Sequence, residues 1–186
     1  MEDSKIVQLY WERDERAISA TAEKYGNYCR SIAHNILNNS EDARECVNDT
    51  YMRAWQAIPP HRPGRLSTFL GKITRNLSLS RYQHDTRTKR GGGEADAVFD
   101  EIAELVSDTD SVEQAVEYQE LVDAINAFLD GLSSSKRDVF VRRYWYFDSI
   151  PQIAARFAST ENRISVTLSR LRLALRKYLL ERGFDL

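Results

Sequence analysis

The sequence predicts an all-α protein in which two small helical domains are joined by an acidic flexible linker. Apolar residues recur at intervals of three and four along most of the chain, which is the spacing of one helix face. The 186 residues include only eight Gly and four Pro, with no run of alternating β-branched residues. We expect an N-terminal helical bundle at residues 1–90, the linker at 91–111 and a helix-turn-helix domain at 112–186.

The first domain is expected to hold four helices. The apolar pattern predicts them over residues 5–19, 20–37, 40–58 and 67–82. Asn38-Asn39-Ser40 breaks the pattern, and Ser40 is placed to cap the third helix. A proline-rich loop at 59–64 separates the third helix from the fourth.

The third helix carries an acidic stripe. Asp42, Glu45 and Asp49 fall at positions i, i+3 and i+7, which places them on one face, and Met52 and Gln56 continue it. The functional interpretation is a docking surface for a basic partner element. The alternative is an ordinary solvated helix surface.

The loop at 59–64 leads into a helix with a basic exposed side. Lys72, Arg75 and Asn76 lie on that side, and further basic residues follow at Arg81, Arg87, Lys89 and Arg90. A rigid loop beside a basic helix is suited to hold an unstacked base while the helix follows the nucleic-acid backbone.

Charge is strongly segregated, although the formal net charge is only −2. Residues 62–90 hold eight basic residues and one Asp, and residues 136–182 hold eleven basic and four acidic residues. Between them, residues 94–123 hold eleven acidic residues and no basic one. Two basic modules favour a nucleic-acid partner. The acidic segment either shields those modules in the free protein or is a plain spacer, with at most a short turn near Phe99–Leu105.

The last fifty residues read as a helix-turn-helix. Helices resume at Val112 and Ser135, Ser149 caps a short helix, and Thr160 caps a longer one after a break at Ala158-Ser159. The longer helix has an apolar face formed by Ile164, Leu168, Leu171, Leu175 and Tyr178. Its opposite face is basic and hydroxylated, which suits phosphates and base edges, with Arg163 expected near the bases.

Composition argues against several other classes of protein. No apolar stretch is long enough to span a membrane, and the charged N-terminus is unlike a signal peptide. Cys29 and Cys46 fall on apolar faces, so buried free thiols are expected. The three histidines are scattered and form no metal-ligand motif. We therefore expect a cytoplasmic protein with no membrane insertion, no metal and no cofactor.

Three motifs together resemble the short, extracytoplasmic-function type of bacterial RNA polymerase sigma factor. Residues 42–55, D-A-R-E-C-V-N-D-T-Y-M-R-A-W, resemble the family's D-A-E-D-L-V-Q-E-T-F-L-R-A-W. Residues 69–76, F-L-G-K-I-T-R-N, resemble W-L-x-x-I-A-R-N, and the helix-turn-helix resembles the family's fourth region. Two departures matter here: Arg44 replaces an acid, and Ala158 stands where Gly is common.

The resemblance implies a promoter-specificity subunit whose partners are core RNA polymerase and promoter DNA, and whose relatives are often inhibited by anti-sigma proteins. It implies core polymerase binding by Asp42, Glu45, Asn48, Asp49, Met52 and Gln56. It implies contact with the −10 element by Arg62, Arg65, Lys72, Arg75, Asn76 and Arg81. It implies contact with the −35 element by Thr160, Arg163, Ser165, Thr167, Ser169, Arg170, Arg172 and Arg176.

Two other classes of function remain open from the residues alone. A stand-alone repressor or activator would use the same helix-turn-helix as a dimer on a palindromic site. A DNA-processing enzyme would need a clustered nucleophile or metal-binding carboxylates facing DNA. The tight carboxylate set at Asp42, Glu45 and Asp49 lies in the acidic module, so no catalytic residue is expected.

Overall fold

All regular structure in residues 1–86, 94–103 and 114–184, the ranges that the computed structural model describes, is α-helical. The helices are α1 (Asp3–Trp11), α2 (Arg16–Leu37), α3 (Ser40–Ala57), α4 (Leu66–Thr86), α5 (Glu94–Ala103), α6 (Gln114–Asp130), α7 (Ser134–Tyr144), α8 (Ile150–Arg156) and α9 (Glu161–Leu180). The all-α prediction is confirmed. None of these helices is long and apolar enough to cross a membrane. The predictions for Arg87, Lys89, Arg90 and Val112 lie outside the described ranges.

The chain divides into two compact units, Met1–Ala95 and Asp96–Leu186. In the first unit α2 packs against α1, α3 and α4, and α3 packs against α4. Cys29 and Cys46 lie in its apolar core as free thiols, as predicted, and burial raises the pKa of both. The central position of α2 leaves one side of α3 and one side of α4 open to solvent.

The break between the first two helices differs from the prediction. Helix α1 ends at Trp11 and α2 begins at Arg16, so the expected helix over 5–19 is divided. Arg13 has a φ of 57°, in the left-handed region, which ends a right-handed helix. The carboxylate of Asp14 then accepts a hydrogen bond from the backbone N–H of Arg16 at 2.9 Å, at the start of α2.

The cap of α3 is also one residue away from the expected position. Asn39, not Ser40, is the N-cap, and its side-chain oxygen accepts hydrogen bonds from the backbone N–H groups of Glu41 and Asp42. Asn38 adopts the left-handed conformation that ends α2. Both asparagines therefore act in the turn, since Asn tolerates that conformation and also caps helices well.

In the second unit, α9 packs against α6, α7 and α8. The predicted apolar face of α9 is confirmed for Ile164, Leu168, Leu171 and Leu175, which are all buried. Tyr178 is only half-buried, and Leu179 is the buried residue of the last turn. This face holds the helix-turn-helix together and leaves the opposite face of α9 exposed.

Part of the expected flexible linker is a helix. Residues 94–103 form α5, and Val98 is fully buried there, while the ring of Phe99 packs edge-on against Phe147 at 5.8 Å. The linker prediction over 91–111 is therefore wrong for these ten residues. Apolar side chains such as Val98 are buried, which the acidic composition of the segment did not indicate. The rest of that segment lies outside the described ranges.

Candidate functional site

The acidic surface of α3 is partly engaged by α4. The guanidinium of Arg81 contacts Asp42 at 2.7 Å and Glu45 at 2.6 Å. The hydrogen bond to Glu45 is the main cause of a raised pKa for Arg81. The structure thus joins a residue predicted to bind DNA to two residues predicted to bind polymerase. Such partly exposed ion pairs contribute little stability each, so a partner can compete for them.

The remainder of the acidic surface is open. Asp49, Met52 and Gln56 are exposed on one side of α3, and 52% of Met52 is accessible. Asp49 also lines a cavity of about 380 Å³ between α3 and α4, with Arg81 and His84. Exposed carboxylates beside an exposed methionine are suited to bind a basic, partly apolar helix. Within the described ranges no group of His, Cys, Asp and Glu could hold a metal ion.

The basic loop and α4 present a mixed set of side chains. Arg65, Lys72 and Asn76 are exposed, whereas Arg75 is half-buried and makes an intramolecular contact. Arg62 is held by α1, because it donates to the side-chain oxygen of Gln8 at 2.9 Å and lies over the ring of Trp11 at 5.4 Å. Trp11 is 37% exposed. The loop is therefore anchored beside an accessible aromatic ring, a feature that sequence reasoning missed.

Both caps of the helix-turn-helix are present as predicted. The Ser149 hydroxyl accepts from the backbone N–H of Gln152, whose side chain accepts from the backbone N–H of Ser149, which is a complete capping box. The Thr160 hydroxyl accepts from the backbone N–H of Arg163 at 3.3 Å. Ser149 thus sets where α8 begins, and Thr160 sets where α9 begins.

The turn between α8 and α9 contains a strained residue. Ala158 has a φ of 47°, in the left-handed region, where a Cβ costs roughly 1 kcal/mol. We expect Ala158→Gly to raise the free energy of unfolding of the second unit by about 0.5–1 kcal/mol, since glycine adopts this conformation without strain.

Urea denaturation of Ala158→Gly beside the parent protein measures this gain. Ala155→Gly, inside helix α8, is the matched control and should lower stability by about 1 kcal/mol. Equal losses in both variants would contradict the assigned strain.

The exposed face of α9 separates into available and engaged side chains. Arg163, Ser169 and Arg170 are exposed. The hydroxyls of Ser165 and Thr167 donate to the backbone carbonyls of Glu161 and Arg163, within the same helix. The exposed arginines of the predicted DNA-contact set, Arg163 and Arg170, therefore lie in the first half of α9, the half that follows the turn.

Arg172 is turned into a buried cluster around Glu101 of α5. One carboxylate oxygen of Glu101 lies 2.6 Å from the guanidinium of Arg143. The other oxygen accepts hydrogen bonds from Arg172 at 2.9 Å and from the Tyr144 hydroxyl at 2.8 Å. Arg143 is 2% exposed. Arg176 also points inward, and its Nε is buried with no hydrogen-bond partner among the described residues. Both arginines were predicted to contact DNA.

Electrostatics stabilise the charged form of Glu101. Burial by itself raises the pKa of this carboxyl, but the hydrogen bonds and charges of Arg143, Tyr144 and Arg172 outweigh burial and lower the pKa below its usual value. Burial raises the pKa of Tyr144, so its hydroxyl stays a donor. No local sequence signal marked this cluster, because its members lie 42 to 71 positions from Glu101.

Comparison with known proteins gives three similarities. The family model for sigma-70 region 2 matches residues 21–88. The probable RNA polymerase sigma factor RfaY of Xanthomonas campestris pv. campestris is 25% identical over 160 residues, which cover 86% of this chain. The chain spans 39% of the length of that relative. The solved structure of CnrH in complex with the cytosolic domain of CnrY is 20% identical, covers 98% of this chain and 99% of the solved chain, and has a TM-score of 0.44.

Proposed function

We propose that this chain is a sigma factor of the sigma-70 family, a promoter-specificity subunit that binds core RNA polymerase and directs transcription initiation. The observation that carries the proposal is the family match over residues 21–88. That range includes all of α3, with its acidic surface, and all of α4. The proposed role is one of binding and positioning, in the cytoplasm, with no cofactor and no catalytic step.

In this proposal α3 is the polymerase-docking helix. Asp42, Glu45, Asn48, Asp49, Met52 and Gln56 form the contact surface. Asp49 and Met52 are open in the free protein, whereas Asp42 and Glu45 are held by Arg81. A basic element of the polymerase that displaces Arg81 would free this arginine for DNA, which links docking on polymerase to promoter binding.

Promoter melting is assigned to the basic loop and α4. Exposed Arg65, Lys72 and Asn76 are placed to follow the phosphates of a separated strand. Trp11, beside Arg62, offers an aromatic surface on which an unstacked base can lie. By the family resemblance the strand bound here carries the −10 element.

Recognition of the upstream −35 element is assigned to α9. The turn at Ala158 presents the N-terminal half of the helix, where Arg163 and Arg170 are exposed. A helix of this kind enters the major groove by its N-terminal residues. Arg172 contacts DNA only if its bonds to Glu101 and Tyr144 open, so we assign base reading to Arg163 and phosphate binding to Arg170.

Binding of the full chain to purified bacterial core RNA polymerase tests the proposal. We expect the wild-type chain to bind, and Asp49→Arg to bind at least tenfold more weakly, because the reversed charge repels a basic partner. Glu120→Arg reverses an exposed acid on α6 and should leave affinity unchanged. If the wild-type chain does not bind polymerase but binds a palindromic DNA site as a dimer, it is instead a stand-alone regulator.

A further inference from the structure

A second charged feature lies on the other side of α3, facing α2. A cavity of about 320 Å³ opens between the two helices. Its polar lining includes Glu23, Arg30, Arg44, Asn48 and Tyr51. This cavity is separate from the one beside Asp49.

The wall of the cavity includes the hydroxyl of Tyr51. Tyr51 is 8% exposed, and its hydroxyl forms no hydrogen bond with any residue that the structure describes. Gly26 keeps the space beside it open, because a Cβ there would lie 3.3 Å from the Tyr51 oxygen. Burial is the main reason that the pKa of Tyr51 is raised to about 12, so the hydroxyl retains its proton at neutral pH.

Two cations line the same cavity. Arg30 and Arg44 are exposed, one from each helix, and neither forms an ion pair within the described ranges. Glu23 is the one carboxylate among the described lining residues. Two guanidinium groups and a phenol hydroxyl form a set of donors, and a carboxylate is the side-chain group that accepts from all of them.

The cavity adjoins the proposed docking surface. Asn48 lines the cavity and precedes Asp49, and Arg44 lines it and precedes Glu45. The family motif has an acid where this chain has Arg44. Helix α3 therefore presents carboxylates on one side and the guanidinium of Arg44 on the other, where Arg30 of α2 adds a second guanidinium.

We infer that this cavity receives an Asp or Glu carboxylate of core RNA polymerase, so that α3 docks through charges of both signs. The inference rests on the proposed function. It adds a contact in which this chain supplies the positive charge and the polymerase supplies the negative charge. A partner that must match a basic group at Asp49 and an acidic group at Arg44 can bind in only one register along α3. Opposite charges on the two sides thereby select orientation as well as affinity.

Charge reversal in the cavity tests the inference. Arg44→Glu and Arg30→Glu are each expected to weaken binding of the full chain to core polymerase about tenfold, with a smaller effect at high salt. Lys5→Glu, an exposed reversal on α1, should bind like the wild type. Circular dichroism confirms that each variant is folded.

Tyr51→Phe is the variant that preserves the fold most closely, because it removes a hydroxyl that forms no hydrogen bond with the described residues. We expect its affinity for core polymerase to fall about threefold to tenfold. If wild type binds and Asp49→Arg weakens binding while the three cavity variants bind normally, the inference fails and the proposed function stands. If wild type does not bind, the proposed function itself fails.

Discussion

Glu101→Ala is expected to destabilise the second unit by about 3 kcal/mol. The substitution removes the carboxylate that lies 2.6 Å from the buried guanidinium of Arg143, and removing one partner of a buried ion pair costs about 3–5 kcal/mol. We take the lower limit because 18% of the Glu101 side chain is exposed. Arg172 and Tyr144 lose a hydrogen-bond acceptor in the same step.

Urea denaturation followed by Trp145 fluorescence, with Trp11 and Trp55 replaced by Phe, isolates the second unit. Glu120→Ala, an exposed acid on α6, is the matched control and should change stability by less than about 0.5 kcal/mol. A Glu101→Ala variant as stable as this control would show that the cluster contributes nothing net.

The same carboxyl predicts an acid-dependent loss of stability. Because folding lowers the pKa of Glu101, its contribution is complete above its unfolded pKa of about 4.3 and is lost as pH falls through the lower folded value. Glu101→Gln has no such titration. Its stability should therefore fall less steeply than that of the wild type below about pH 4, and parallel acid profiles would contradict the assignment.

Phe147→Ala is expected to cost about 3–5 kcal/mol in the free energy of unfolding. The side chain is fully buried after the end of α7 and packs against Phe99 of α5. Replacing it with alanine removes buried apolar area and leaves a cavity. A loss of about 3–5 kcal/mol is the range measured when a large buried aromatic residue is replaced by alanine.

The backbone conformation at Phe147 gives a second prediction, which compares the alanine and glycine variants. Its φ is 56°, in the left-handed region, so alanine retains the strain and glycine relieves it. Phe147→Gly should therefore be as stable as Phe147→Ala or more stable, by up to about 1 kcal/mol.

Helix α7 supplies the matched position for that comparison. Phe140 is buried within α7, so Phe140→Gly should be about 1 kcal/mol less stable than Phe140→Ala. The two pairs are compared by urea denaturation. The same order of alanine and glycine at both positions would contradict the role assigned to the backbone.

The sequence by itself determined the features that depend on near neighbours along the chain. A repeat of 3.6 residues per turn set the buried face of α9 and aligned Asp49 with Met52 on α3. Ser149 and Thr160 begin their helices because a side-chain oxygen reaches backbone groups two or three residues ahead. Each of these signals acts within about two turns, so one sequence is enough to predict it.

Only the tertiary structure decided which distant charges meet. Nothing local to Glu101 predicts that it binds Arg143 and Arg172, and Arg30 and Arg44 share a cavity because α2 packs on α3. Helix α5 was missed because its acidic residues resemble a linker until packing buries Val98. Such contacts depend on how the helices pack in space. Their free energy comes from pairs of residues that lie too far apart in the sequence for any local pattern to include both.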